Sequence, residues 1–265
     1  MRVKQVNLIS IDQYIYESIK MNGAYIQGIY KSTIHLSFND IIITLGYHIG
    51  RGKHHILIDE PLEFNLMDIK INTKVEIINH QLIMGNLVVN IRDQFLNSFY
   101  PYQQIYQMTI EHQEVIENLK IIMIKNHPCN LFSYDHQDYI LDYQFKRINR
   151  FLIEPNLENA QSILGLGVGL TPLGDDVLTG YILGKNTVGK SIEWIKDLLT
   201  DIKQKTNKLS AQNIEDTHTR YYPDIFIDMI ESIFIEYRID KAMLVLNLGS
   251  TSGAGILTGF IYGLI

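Results

Sequence analysis

The chain of 265 residues is 46% hydrophobic and 20% charged, the balance of a folded globular protein and not of a disordered one. Its formal net charge of -6 excludes a general electrostatic footprint for phosphate backbones, so no nucleic-acid partner is expected. One cysteine, Cys129, permits no intrachain disulfide and argues against a disulfide-stapled secreted scaffold.

The N-terminal stretch runs straight into Asp12, Gln13 and Glu17 without the apolar core of a signal peptide, so a cytoplasmic location is expected. A first helix is predicted over residues 11–21. Short β-branched and aromatic runs follow at 25–30, 33–38, 41–45, 55–58, 75–78, 81–84 and 87–91. They are punctuated by Asn39-Asp40, Gly50-Arg-Gly52, Asn79-His80 and Gly85-Asn86, which predicts a small antiparallel barrel or sandwich.

From Tyr102 the period changes. Ile105, Met108, Ile110, Val115, Ile116, Leu119, Ile122 and Met123 are spaced for an amphipathic helix ending before Pro128. Further helices are predicted at 157–164, 172–183, 192–208, 224–237, 240–246 and 253–264. No regular alternation of strand and helix appears, so the fold class is α+β: a β-rich domain over 1–100, then an α-helical domain over 101–265 that carries two glycine-rich helices. The most apolar tail, 253–265, is 13 residues long. A membrane-spanning helix needs roughly 20, so no membrane association is expected and the tail reads as a buried helix.

The chemistry concentrates in Gly165-Leu-Gly-Val-Gly-Leu-Thr-Pro-Leu-Gly-Asp-Asp176. Thr171 can cap a helix whose first position is Pro172, where a missing N–H costs nothing. Gly165, Gly167, Gly169 and Gly174 keep side chains away from the approach to that helix start, leaving amides for a phosphate or carboxylate. Asp175 and Asp176 lie in or near the first turn, where they suit the helix dipole and could also orient an amide or hold Mg2+. Against this stands the plainer reading, in which the glycines permit close packing and the aspartates only cap.

A second copy of the pattern favours more than packing. Gly174-Asp-Asp-Val-Leu-Thr-Gly-Tyr-Ile-Leu-Gly184 aligns with Gly253-Ala-Gly-Ile-Leu-Thr-Gly-Phe-Ile-Tyr-Gly263, with glycines four apart on each helix. The two helices are expected to pack side by side with both N-termini at one end. Ser250, Thr251, Ser252 and Gly253 would then face the aspartates across one pocket.

Other signals carry less. Gly184-Lys-Asn-Thr-Val-Gly-Lys-Ser191 matches a phosphate-loop string, but it follows a predicted helix and not a buried strand, and no nucleotide is expected there. Gly46-Tyr-His-Ile-Gly-Arg-Gly-Lys-His-His55 reads as a solvated hairpin loop, with Arg51 a candidate cation for an anionic substrate. His218 reads as a polar loop residue, and Cys129 has no activating neighbour in sequence.

On Gly167-Val-Gly-Leu-Thr-Pro-Leu-Gly-Asp-Asp176 the sequence resembles the AllH-like family, whose hallmark is G-x-G-x-T-P-x-G-D-D. The resemblance extends more loosely to the β-rich first half, the stretch from Thr206 to Ser210 and the late Ser252-Gly253. Val168 and Ala254 depart from the family's usual residues. The resemblance implies a subunit of a three-subunit oxamate carbamoyltransferase in ureide and purine-nitrogen catabolism, which exchanges a carbamoyl group between oxalurate and phosphate. It implies that Thr171 and the backbone of residues 167–169 bind phosphate or carboxylate, that Asp175 and Asp176 orient the amide or hold a divalent ion, and that Ser250 to Gly253 close the opposite side. Small anionic substrates and other protein subunits are the implied partners. Two alternatives stay open: a non-catalytic subunit whose partners carry the chemistry, and a metal-dependent hydrolase using the two aspartates.

Overall fold

The structure, a computed structural model, describes residues 3–47, 49–126, 131–132 and 139–265. The chain divides into two compact units, Met1–Tyr100 with Tyr221–Asp224, and Pro101–Arg220 with Ile225–Ile265.

The first unit is a β-barrel. Its strands are β1 (Lys4–Asp12), β2 (Ala24–Ile29), β3 (Thr33–Phe38), β4 (Ile41–Gly46), β5 (His55–Ile58), β6 (Lys74–Ile78), β7 (Gln81–Met84), β8 (Leu87–Asn90) and the short β9 (Leu96–Asn97). The order β5-β4-β3-β2-β6-β7-β8-β1 closes on itself through β1 and β5, and β9 adds to β1. Closure leaves β1 with partners on both sides, which disposes of an exposed edge. The ring is mixed: β1 with β8, β4 with β5 and β1 with β9 run parallel, whereas the other pairs run antiparallel. Ile26, Ile34, Leu36, Ile43, Ile56 and Val89 lie among the residues filling its interior. Asn79 and His80 both take positive φ, 48° and 58°, as a two-residue hairpin turn between β6 and β7 requires.

Residue 11 belongs to β1, not to the predicted first helix, and the helix α1 covers Gln13–Asn22. Val6, Leu8 and Ser10 alternate inward, but a serine at the third position hides the apolar alternation that would have marked a strand. Asp12 then caps α1, accepting from the N–H groups of Tyr14 and Ile15. The segment between β4 and β5 is not a hairpin: the two strands are parallel, with Thr44 beside His55 and Gly46 beside Leu57.

The second unit is helical: α2 (Ile110–Asn126), α3 (Tyr139–Ile153), α4 (Leu157–Ile163), α5 (Leu173–Thr187), α6 (Ile195–Thr200), α7 (Ile202–Lys205), α8 (Lys208–His218), α9 (Asp224–Phe234), α10 (Asp240–Leu246) and α11 (Ser252–Leu264). The helix predicted from residue 105 starts at Ile110. Thr109 and His112 set that start reciprocally, the Thr109 N–H donating to His112 Nδ1 and the His112 N–H to Thr109 Oγ1. The stretch before it is extended and pinned by backbone bonds from Tyr102 to Arg220 and from Tyr106 to Thr187.

The single helix predicted over 192–208 is two short ones, α6 and α7, and α8, which no predicted helix covers, begins at its last residue. Asp201 lies at the first break and Thr206 is extended, after which Asn207 caps α8 by accepting from the Ser210 N–H at 3.0 Å. His218 ends α8 and is therefore helical rather than a loop residue. Cys129 lies outside the described residues, as does His48 of the segment before β5. No helix among the described residues is long and apolar enough to cross a membrane.

Candidate functional site

Helices α5 and α11 approach until backbone meets backbone. A Cβ built on Gly180 would stand 1.9 Å from the Ile256 carbonyl oxygen, and one on Gly259 would stand 2.0 Å from that of Val177. Gly184 and Gly263 repeat the relation one turn on, each 2.3 Å from a carbonyl of the other helix. Residues 173 and 176 meet 255, and 184 meets 263, so the helices are parallel with both N-termini at one end. The contacts are reciprocal: Gly180 against Ile256 and Phe260, Gly259 against Val177 and Tyr181, which are the same positions of the two sequence copies. The pair therefore has pseudo-two-fold symmetry about an axis along the helices.

The repeat reaches further than the sequence revealed. Each glycine helix is preceded by a seven-residue helix, α4 or α10. The first glycine of each long helix, Gly174 or Gly253, sits on a carbonyl of its own short helix, Ile163 at 1.9 Å or Val245 at 2.0 Å from a built Cβ. These glycines serve packing, and their N–H groups are already bonded, Gly174 to the Leu166 carbonyl and Gly253 to that of Leu248.

The symmetry breaks at the two aspartates. Gly255, the counterpart of Asp176, lies with its missing Cβ 2.9 Å from Asp176 Cβ, so one carboxyl fits between the helix ends and two would not. Asp176 is 5% exposed. Thr171 Oγ1 donates to its Oδ2 at 3.3 Å, Ser252 also hydrogen-bonds to its carboxyl, and the two hydroxyls lie 2.9 Å apart. Burial above all, against the pull of the Ser252 and Thr171 hydroxyls and with the charge of Asp175 adding to it, pushes Asp176 up to about 8.

Asp175 faces another way. At 1% exposure, its Oδ1 accepts from the Gly165 N–H at 2.7 Å and its Oδ2 from the Thr206 hydroxyl. Burial raises its pKa, opposed by Thr206, Gly165 and Ser210. Asn207, capping α8, also donates from Nδ2 to the Leu170 carbonyl at 3.0 Å. A third helix N-terminus thus joins the site, with Thr206 and Asn207 tying the glycine turn to α8. Sequence reading did not single out Asn207; a cap residue beside a threonine, breaking a predicted helix, was the available signal.

The turn itself projects outward. Gly167 has φ 126°, and a Cβ there would lie 2.6 Å from the Leu173 nitrogen. Val168 is 89% exposed. The N–H groups of residues 167–171 have no partner among the described residues, so this is where an anion would find donors. Thr171 does not cap α5: Pro172 holds the cap position, and no side chain bonds to the helix start. Thr171 instead spends its hydroxyl across the helix pair. Of the serine and threonine run, only Ser252 reaches the aspartate. Ser250 is exposed, and Thr251 occupies the cap position of α11 without a side-chain bond.

Arg51 belongs to the barrel unit, where its Nε lies 3.9 Å from Asp224 Oδ2 and its carbonyl accepts from the Asp224 N–H. The phosphate-loop string is the C-terminal end of α5. Gly184 to Thr187 are helical, and Gly189, at φ 68°, closes the helix with Lys190 donating back to the Lys185 carbonyl. Among the described residues no cluster of three or more His, Cys, Asp or Glu could hold a metal ion. The oxygens of Asp175 and Asp176 face N–H and O–H donors, which a cation would have to displace.

A cleft of about 590 Å³ lies at the other end of the pair, lined by Met108, Ile116, Lys120, Val188, Ile261 and Leu264 among others. Its size is that of a ligand pocket. Its walls come from α2 and the stretch before it and from the C-terminal ends of α5 and α11, away from Asp176, Thr171 and Ser252.

Residues 163–264 match the family model of the oxamate carbamoyltransferase subunit AllH. The match begins at the last residue of α4 and ends at the last residue of α11, so it covers the turn, both glycine helices and α8, and none of the barrel. No curated protein and no solved structure matches the chain.

Proposed function

With residues 163–264 assigned to the AllH-like family, we propose that the chain is a subunit of a carbamoyltransferase acting on oxalurate and oxamate in ureide or purine-nitrogen breakdown, and that its glycine turn binds a small anionic carbamoyl or phosphate ligand. The observation that carries the reading is the meeting of Thr171, Asp176 and Ser252 at the shared N-terminal end of α5 and α11, beside the unpartnered amides of residues 167–171. Amides at a helix start suit phosphate or carboxylate, and a fixed carboxyl suits a carbamoyl NH2. The reaction would pass the carbamoyl group of oxalurate to phosphate, leaving oxamate and carbamoyl phosphate. Asp175 is a positioning residue on this reading, because both its oxygens hold the turn and α8 together.

A second reading has its own support. The first-turn amides of Gly174 and Gly253 are bonded within the fold and Asp176 is nearly closed off, as a rigid scaffold whose partner subunits carry the chemistry would require. Thermal unfolding with phosphate, carbamoyl phosphate, oxamate, oxalurate or Mg2+ separates the two. Ligand at 100 times its Kd adds about 2.7 kcal/mol, a rise of several degrees. A rise with a carbamoyl or phosphate ligand that is lost in Thr171→Val supports ligand binding at the turn; no rise with any of them supports the scaffold.

A further inference from the structure

We propose that Asp176 is held as the neutral acid in the folded chain at neutral pH, its O–H completing a ring of hydrogen bonds with Thr171 and Ser252, so that the N-terminal ends of α5 and α11 form a proton-sensitive latch.

Counting donors leads there first. Thr171 and Ser252 each contact the Asp176 carboxyl and also contact each other. Two hydroxyl protons cannot serve three contacts; a carboxylic proton supplies the third. Asp175 provides the contrast within the same helix turn. Its two oxygens each receive their own donor, the Gly165 N–H and the Thr206 hydroxyl, which is the pattern of a carboxylate.

Charge and solvent point the same way. Asp175, the neighbouring residue of the same helix, lies near enough for its charge to act on Asp176 although its oxygens point to Gly165 and Thr206; α11 presents Ser252 and the backbone at Gly255, and the turn presents Thr171. No Lys, Arg or His pairs with either carboxyl among the described residues. Two adjacent buried carboxylates without a cation are strongly disfavoured, and the less hydrogen-bonded one keeps its proton. Backbone contact at Gly180 and Gly259 prevents the helices from parting to hydrate it. Burial raises the Asp176 carboxyl to about 8, in the same sense.

Loss of the proton to solvent base would leave three contacts with two donors and place a second negative charge beside Asp175. The latch loosens, and the approach of any anion to residues 167–171 is opposed. The inference concerns the ligand-free chain and stands whether or not an anion binds there.

Urea unfolding of the full chain and of Asp176→Asn across about pH 5 to 9 tests it. The folded state keeps a proton that the unfolded chain has released. The folding constant of the parent relative to the variant should therefore fall up to tenfold per pH unit, about 1.36 kcal/mol, until about pH 8 and then level. Asparagine supplies the same donor and acceptor as the neutral acid, so the variant should fold and exceed the parent in stability at the alkaline end. A pH-independent difference, or a variant that does not fold, overturns the proposal. Carboxyl 13C NMR of the aspartate-labelled parent reads the state directly: a resonance at the neutral-acid position at neutral pH supports it, and aspartates all ionised there refute it.

Discussion

The parallel packing of α5 on α11 makes one substitution decisive, Gly259→Ala. In an isolated helix this change stabilises by about 1 kcal/mol, since alanine is the better helix former. In the pair the added methyl would stand 2.0 Å from the Val177 carbonyl oxygen and 2.7 Å from the Tyr181 nitrogen, where ordinary contact begins at 3.4 Å. The obstructing atoms are helical backbone that cannot rotate aside, so relief requires the helices to move apart by more than an ångström. A gap of roughly 0.5–1 Å already forfeits a quarter to a half of each van der Waals contact, and overpacking costs roughly 1–3 kcal/mol or more. A net loss of about 3 kcal/mol is expected, and Tm lower by roughly 6–12 °C. Thermal unfolding followed by circular dichroism measures it, with Gly169→Ala as the comparison. That glycine has φ 116° but no atom nearer than 3.9 Å to a built Cβ, so only backbone strain of roughly 1–2 kcal/mol applies. A Gly259→Ala protein as stable as the parent would refute the close-packed pair.

Asp175→Asn should cost about 1–3 kcal/mol in urea unfolding, because one arm of the amide would turn a donor toward the Gly165 N–H or the Thr206 hydroxyl. Asp176→Asn should keep the fold and abolish carbamoyl transfer in the assembled enzyme, since one acceptor oxygen for the carbamoyl NH2 is replaced by a donor; transfer at the parental rate would remove Asp176 from the chemistry. His35 is buried on β3, and burial, then the neighbouring His55, hold it down to about 4. The folded barrel therefore refuses a proton that the unfolded chain accepts. Its contribution is whole above pH 6.5 and is lost as pH falls toward 4, about 3 kcal/mol across the window. Acid unfolding of His35→Gln should lack that slope.

Much of the local structure was written plainly. Strands β3, β5 and β7 and helix α10 fall on the residues their patterns mark, because turn residues bound each run tightly. What escaped was polar at the telling position. Ser10 interrupts the inward alternation of β1, and Lys146, Arg147 and Arg150 dilute the period that buries Phe145, Ile148 and Phe151 in α3. The parallel pairings of β1 with β8 and of β4 with β5, and the closing pair of β1 with β5, are set by the tertiary arrangement of the strands, which no local pattern encodes. At the site, the glycine repeat foretold the joined N-termini and the nearness of Ser252 to Asp176. The opposite duties of two neighbouring aspartates were hidden. They follow from a helix turning about 100° per residue, which sends Asp175 toward α8 and Asp176 toward α11. Asn207 was obscured because it falls inside the helix predicted over 192–208, and the helix it caps, α8, is marked by no predicted element.

The central claim, a small-anion site at the turn, is tested most directly by isothermal titration of carbamoyl phosphate into the full chain and into Ser252→Ala. Binding at one site per chain, weakened at least roughly tenfold by the loss of one hydroxyl contact, is the predicted result. Equal affinity in parent and variant would mean that the ligand binds elsewhere, and no heat in either would leave the paired helices as a scaffold.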